Sequence, residues 1–432
     1  MDCWQQVKQQ LQQLLQQQWE HHHVVDEDER IIQYQFDLII PPICGGILSW
    51  LKGQSHYPRF FWQAREDETQ CVALGQVKRF AQLSEAQRFL RQHQTQPLQL
   101  VGGLTFEGKA HFYLPRIWLQ QNAETLTVTL NLSTDDSASA VNAFLAELNP
   151  AVELSAVTAQ LNLESQNYSQ TSWSDLVEES LSSIEQGRFT KVVLAQKKSY
   201  DLSAPVNPHD LLAHARAQHP SCYYFLWAES AEQAFLGASP ERLYKRHQQQ
   251  LCTEALAGTA ECGQSQQQNQ QQQQWLLQDS KNIHENWLVV EDICAKLANL
   301  SSHLDIHELS SKKLSYVQHL IRQIGAKLHP EVDDQACLTA IHPSAAVGGL
   351  PYASALKFIA ERQNFRRDWY AGTLGVMSLL KSEFCVTIRS TLLNQDKIAI
   401  FTGAGIVAGS VPLLEWQEIE RKAAGILSLF PV

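Results

Sequence analysis

The sequence predicts an α+β protein, on three observations. Short runs of β-branched and aromatic residues alternate with turn residues over most of the chain, windows of helical periodicity interrupt them, and no repeat of 20–50 residues is visible. In order, Trp4, Val7, Leu11, Leu14 and Leu15 stand at helical spacing and predict an amphipathic first helix. His21, His22 and His23 follow; three adjacent histidines cannot all face one metal from a regular element, so they read as a solvated helix end. Strands are expected over 31–40, 60–63, 72–77, 98–106, 111–119 and 125–132, with helices over 84–94 and 139–148. After a polar patch at 165–172, a helix is expected over 173–186, ending at Gly187, and then a buried strand over 191–195. A helix over 209–219, strands over 222–228, 234–237 and 249–254, and helices over 276–300 and 314–324 follow. Strands over 370–378, 383–393 and 397–407 and a helix over 413–427 complete the chain. The glutamine-rich run 264–274 reads as a mobile loop. The division expected is an N-terminal α+β portion, 1–160, and a second portion, 165–428, together forming one continuous structural domain.

Composition narrows the function classes. With 34 basic and 45 acidic side chains among 432 residues, the formal charge is −11, which argues against nonspecific nucleic-acid or membrane-surface binding. An anionic ligand would therefore need local positive charge at its site. The longest apolar stretch, 36–51, is broken by Pro41-Pro42 and Gly45-Gly46, short of the ~18–20 clean residues of a membrane span. No basic patch leads into an apolar core near the amino terminus, so no secretory signal is read and a cytoplasmic protein is expected. Nine scattered cysteines without a CxxC pair read as reduced thiols.

Several familiar signatures fail. Gly403-Ala-Gly405-Ile-Val-Ala-Gly409 is spaced GxGxxxG and runs into Pro412, so it is not a dinucleotide fingerprint. His284-Glu285 lacks the second histidine of HExxH, and no GxxxxGK[ST] or GxSxG occurs. Polar residues at element ends remain. Glu415, Glu418 and Lys422 fall on one helix face; alone, they read as a solvated face with an ordinary Glu–Lys pair. Lys281 and Glu285 make a second such face. One glutamate from each helix would suffice for Mg²⁺, which is held by one or two carboxylates plus water and an anionic ligand. Lys191 opens an apolar strand, where desolvation would favour a neutral amine able to act as a base, or it reaches solvent as a strand-end lysine. Glu241 is either a protonated acid or the ion-pair partner of Arg242 or Arg389.

Taken together, these segments resemble the chorismate-utilising enzymes, and among them the menaquinone-pathway isochorismate synthases. Eight strings carry the resemblance in order: KVVLA at Lys191, GASPERL around Glu241, TEALAGT ending at Thr259, DSKNIHENWLVVEDI from Asp279, HPSAAVGGLP from His342, RDWYAGTLG from Arg367, FCVTIRS around Arg389, and GAGIVAGS with EWQEIERKAAG to Gly425. WLKGQSHYPRFFWQAR from Trp50 and VGGLTFEG from Val101 match more loosely.

The resemblance implies two large antiparallel sheets packed as a sandwich with helices outside and a deep active site between them, and makes 165–428 the chorismate-binding catalytic portion. It implies a Mg²⁺-dependent isomerisation of chorismate to isochorismate toward menaquinone, with no amidotransferase subunit and a monomer or weak homo-oligomer. Carried over residue by residue, Lys191 corresponds to the water-activating base and Glu241 to the general acid. Glu285 and Glu418 correspond to the metal ligands, with Glu415 acting through a metal-bound water. Tyr370, Arg389 and the Gly403 amide correspond to the grip on the enolpyruvyl carboxylate; Gly258, Thr259 and Lys422 stand at the ring carboxylate, and His342 beside the substrate. Aminating relatives have glutamine at the place of Lys191, and lyase-competent relatives have threonine at the place of Ala346, so both positions favour a synthase that stops at isochorismate. The alternatives are a siderophore- or salicylate-pathway isochorismate synthase and a salicylate synthase. Gln196 and Ala260 depart from the family by replacing arginines.

Overall fold

A computed structural model gives the fold and describes residues 3–18, 31–39, 46–123, 125–263, 265–314 and 317–431. The chain begins with α1 (Cys3–Gln18), β1 (Ile31–Ile39), α2 (Ile47–Gly53), β2 (Arg59–Gln63), β3 (Gln70–Phe80), α3 (Leu83–Gln92), β4 (Gln99–Leu104), β5 (Ala110–Asn122), β6 (Thr125–Ser133) and α4 (Ala138–Ala146). Next come β7 (Leu161–Gln166), α5 (Gln170–Glu185), β8 (Lys191–Leu202), α6 (Pro208–Gln218), β9 (Tyr223–Ala228), β10 (Gln233–Ser239), β11 (Arg242–His247) and β12 (Gln250–Glu261). They are followed by α7 (Gln266–Leu276), α8 (Ser280–Ala298), β13 (Ser301–Ile306), β14 (Ser310–Lys313), β15 (Val317–Leu328) and α9 (Asp334–Ile341). The last elements are β16 (Gly349–Leu350), α10 (Tyr352–Arg362), β17 (Thr373–Ser378), β18 (Lys381–Val386), β19 (Ser390–Asn394), β20 (Lys397–Val407) and α11 (Pro412–Leu427).

Every strand pairing among the described residues is antiparallel, in two arms that share β5. One arm runs β1–β6–β5–β3–β2–β9–β10–β19–β20–β8, with β7 and β16 on the far edge of β8. The other runs β5–β4–β17–β18–β11–β12–β15, with β13 and β14 beyond β15. The expected pair of antiparallel sheets is present, and the ladders on β5 join them into one network. Helices cover the outside: α6 packs on β9 and β10, α8 on β12 and β15, and α11 on β20. Because β2 pairs with β9 and β4 with β17, strands from the first 160 residues are built into both arms.

Most expected elements appear within a few residues of their predicted bounds, and four expectations are corrected. The helix predicted over 314–324 is strand β15, with residues 315 and 316 outside the described set. Val317, Leu320, Ile321 and Ile324 satisfy helical spacing, but β15 lies between β12 and the β13–β14 edge and is buried on both faces at its start, which erases the alternation that marks a strand. The glutamine-rich segment forms α7. A Ser265–Gln268 capping box starts it, glutamine is a competent helix former, and Leu276 anchors it against Ala260 and Leu320. The strand predicted over 383–393 is two, β18 and β19, broken where Arg389 takes a left-handed conformation at φ 52°. The helix expected from 276 starts instead at Ser280, with Asp279 accepting from the Asn282 amide as its cap. His21–His23 lie outside the described residues.

Candidate active site

The site is assembled on β8 and β20, which pair over their whole shared length. Val407 stands opposite Lys191, Gly405 opposite Val193 and Gly403 opposite Ala195. Directly opposed residues share a sheet face, and residues two apart along a strand share it too. Lys191, Gly403 and Gly405 therefore look the same way. Lys191 is fully buried, which excludes the solvent-reaching alternative, and its Nζ donates to Glu285 Oε1 at 3.1 Å from α8. Gly405 makes room for this pair, and Gly403 for Tyr370. A Cβ at Gly405 would stand 2.6 Å from Glu285 Oε1 and 3.0 Å from Lys191 Cε, and one at Gly403 would stand 2.9 Å from the Tyr370 hydroxyl. That is the physical content of the GxGxxxG run.

Above this floor lies a cavity of about 660 Å³ between the arms, lined by Glu241, Gly258, Thr259, Glu285, His319, Ala346, Tyr370, Arg389, Gly403, Glu418 and Lys422, with Val193 and Phe401 among its apolar walls. Ten of the thirteen residues singled out from sequence thus line one cavity. Lys191 sits directly behind Glu285. Gly258 lies at a register shift in the β12–β15 ladder with φ +84°, which a side chain rarely adopts, and α8 holds the bulge by accepting the Thr259 amide on Asn282 Oδ1 at 3.0 Å. A neighbouring apolar cavity of about 620 Å³ shares Arg389 and Lys422 but is lined by no carboxylate.

Two expected residues lie elsewhere. Glu415 is one turn from Glu418 on α11, but its carboxylate turns to Lys281 Nζ, 2.9 Å away, and does not line the cavity. His342 does not line it either; its ring is buried with Nε2 2.9 Å from the Thr105 carbonyl. The histidine in the cavity is His319, which the helical reading of 314–324 concealed; as a strand residue it faces the site across β12. Its Nδ1 lies 3.2 Å from Thr259 Oγ1 and its Nε2 3.4 Å from an Arg389 nitrogen. Because guanidinium only donates, Nε2 is the acceptor and Nδ1 carries the proton, in keeping with burial and then Arg389 and Lys422 driving its pKa down to about 3.

The departures from the family also find partners. Gln196 is buried on β8, accepts from the Tyr168 amide at 3.0 Å and donates to the Tyr168 carbonyl at 2.7 Å, closing the chain just ahead of α5. Ala260 belongs to the small apolar cluster under α7.

The carboxyls of the cavity are in opposite electrostatic situations. Burial, and then the Glu254 carboxylate, push Glu241 up to about 8, so it is protonated at neutral pH. Glu418 lies at the other extreme: burial opposes its ionisation, but Lys422, with Nζ 2.6 Å from Oε1, outweighs that and holds it at about 2. Arg389 lacks a carboxylate within ion-pair distance among the described residues, so it is available to an anionic ligand. Burial lowers its pKa without neutralising a guanidinium at neutral pH. Among the described residues no three His, Cys, Asp or Glu side chains cluster to cage a metal. Two hard oxygen donors on one cavity, Glu285 and Glu418, nevertheless match the way Mg²⁺ is held, by one or two carboxylates with water and ligand oxygens completing the shell.

A buried acid and a guanidinium without a carboxylate partner among the described residues, on one cavity between antiparallel arms, with Lys191 buried behind Glu285, suit an enzyme that handles a small anion. The chain belongs to the chorismate binding enzyme family, whose model matches residues 29–430. It is 45% identical to isochorismate synthase MenF of Haemophilus influenzae over 385 residues, 89% of each chain, and 40% identical to isochorismate synthase MenF of Escherichia coli over 388 residues, 88% of this chain and 90% of that one. The structure of MenF, the menaquinone-specific isochorismate synthase from Escherichia coli, superimposes with a TM-score of 0.88 at 38% identity, covering 97% of this chain and 99% of that one.

The elevated pKa of Glu241 makes a prediction about stability. Its folded value, about 8, lies above the ordinary 4.5, so the folded state binds the extra proton between them. The associated stability is complete below about 4.5 and is lost as pH rises through about 8. Urea unfolding across this window should show Glu241→Gln losing less stability than the parent as pH rises; parallel profiles would contradict the assignment.

Proposed function

We propose that the chain is an isochorismate synthase of menaquinone biosynthesis, interconverting chorismate and isochorismate with Mg²⁺ bound at Glu285 and Glu418. One observation supports it above the others: Glu241, a protonated acid from the crossing between the arms, and Glu285, with Lys191 from β8 buried directly behind it, meet at a single cavity. The reaction exchanges hydroxyls, so it needs a base where water enters and an acid where hydroxide departs. Lys191 takes a proton from the incoming water. Glu241 gives one to the departing oxygen, which leaves as water, and the ring double bonds shift between the two carbons. Arg389, Tyr370 and the Gly403 backbone hold the enolpyruvyl carboxylate, and Thr259 and Lys422 hold the ring carboxylate. Bound Mg²⁺ supplies positive charge for that ring carboxylate, a task for which Glu285 and Glu418 are suited as hard oxygen ligands. Alanine at 346 leaves the wall beside the substrate without the hydroxyl of lyase-competent relatives. The free thiols of Cys71, Cys222, Cys252, Cys262, Cys294, Cys337 and Cys385 suit a reducing compartment, and we assign the enzyme to the cytoplasm, active without an amidotransferase subunit.

NMR of chorismate incubated with the purified protein tests the reading directly. Isochorismate should accumulate with Mg²⁺, approach the same final ratio when isochorismate is the starting material, and cease to form after chelation; anthranilate, salicylate or no turnover would contradict it. Lys191→Ala should lower kcat by about 10²–10⁴-fold, the usual contribution of a general base, while chorismate still binds. Near-normal turnover would remove the base. Ala346→Thr should add pyruvate release, detectable in a coupled assay, and its absence would remove the significance given to that alanine.

A further inference from the structure

We propose that Arg65, contributed by the amino-terminal part of the chain, is a positioning residue for Glu241, fixing the backbone on which the acid stands. The proposal rests on the reading of Glu241 as the acid.

The chain crosses from one arm to the other between β10 and β11, and Glu241 lies in that crossing. Its carboxyl takes no hydrogen bond from any described residue, so its aim is set by the main chain. The Glu241 amide donates to Ser239 Oγ at 3.2 Å and its carbonyl accepts from the Val386 amide at 3.1 Å. The peptide groups on either side both lead to Arg65. Ahead of Glu241, the Pro240 carbonyl accepts from Arg65 Nη1 at 2.6 Å, and also from Lys312 Nζ at 3.0 Å. Behind it, the Arg242 amide donates to Glu254 Oε1 at 3.0 Å, and Glu254 receives Arg65 as a fork, at 2.6 Å on Oε1 and 2.7 Å on Oε2.

Arg65 follows β2 in one arm and Glu254 lies on β12 in the other, so their pair spans the crossing. The side chains are 5% and 0% exposed. Buried ion pairs are frequently replaceable by apolar residues without loss of stability, so stability alone is a weak reason for this one. Geometry is a stronger reason: a planar guanidinium can reach the Pro240 carbonyl and both Glu254 oxygens at once, whereas an ammonium is a single point of charge.

Displacing a catalytic group by about 1 Å can cost on the order of 10² in rate. Arg65→Met should therefore lower kcat about 100-fold, with KM and the Kd for chorismate within about threefold of the parent. This variant strands a buried carboxylate, so two further variants separate position from folding. Arg65→Lys keeps Glu254 paired and should hold Tm and KM while kcat falls about tenfold. Arg65→Met/Glu254→Leu removes the stranded charge and should regain Tm while kcat stays low. Parental kcat in Arg65→Lys, or recovery of kcat together with Tm in the double variant, would overturn the proposal. Glu241→Gln is measured alongside: if it retains turnover, the acid itself is misassigned, and if it is inactive while the Arg65 variants are fully active, only the positioning role fails.

Discussion

An amine buried beside a carboxylate, Lys191 with Glu285, is the constraint around which the catalytic half of the molecule is arranged. A charge taken from water needs a partner close at hand, and the partner needs space. Here the partner comes from α8 and the space from Gly405 on β20. Both depend on the register of β8 against β20: a slip of one residue would turn Lys191 to the opposite face and set a side chain against Glu285. The same register places the Gly403 backbone beside Tyr370 and under Lys422, whose Nζ donates to the Gly403 carbonyl at 2.8 Å.

Around this floor, environment gives chemically similar groups different tasks. Glu241 and Glu418 line the same cavity, yet one is held protonated by burial near Glu254 and the other ionised by Lys422. Separating the pKa values of two carboxyls is how a site obtains an acid and an anion from one residue type. His319 extends the pattern. As a neutral ring it accepts from Arg389 and donates to Thr259, whose hydroxyl lies 3.4 Å from Glu418, so the residues suited to the two ends of a dianion are mechanically connected.

Much of this was legible in residue order. The strand at Lys191, the α11 face bearing Glu418 and Lys422, and the glycines of β20 were all visible as local patterns, and the ordered strings assigned their chemistry. His319 was not, because a strand buried on both faces carries the same apolar spacing as a helix. His342 was drawn toward the site by its motif, although its ring is spent on the Thr105 carbonyl. The glutamine-rich segment was misjudged by composition, since its capping box and one buried leucine decide its state.

By itself, then, the sequence determined which groups are present and on which local elements they ride, because hydrophobic period and turn residues act over a few positions. Tertiary structure alone decided which groups meet. Glu415 and Glu418 differ by one turn of the same helix, yet only Glu418 opens on the cavity, because Lys281 from α8 claims the other. Arg65 and Glu254 are 189 residues apart and meet only because strands from the two arms converge at the crossing that carries Glu241. Desolvation and charge proximity are properties of that convergence, and they set the protonation states that make Glu241 an acid and Glu418 an anion.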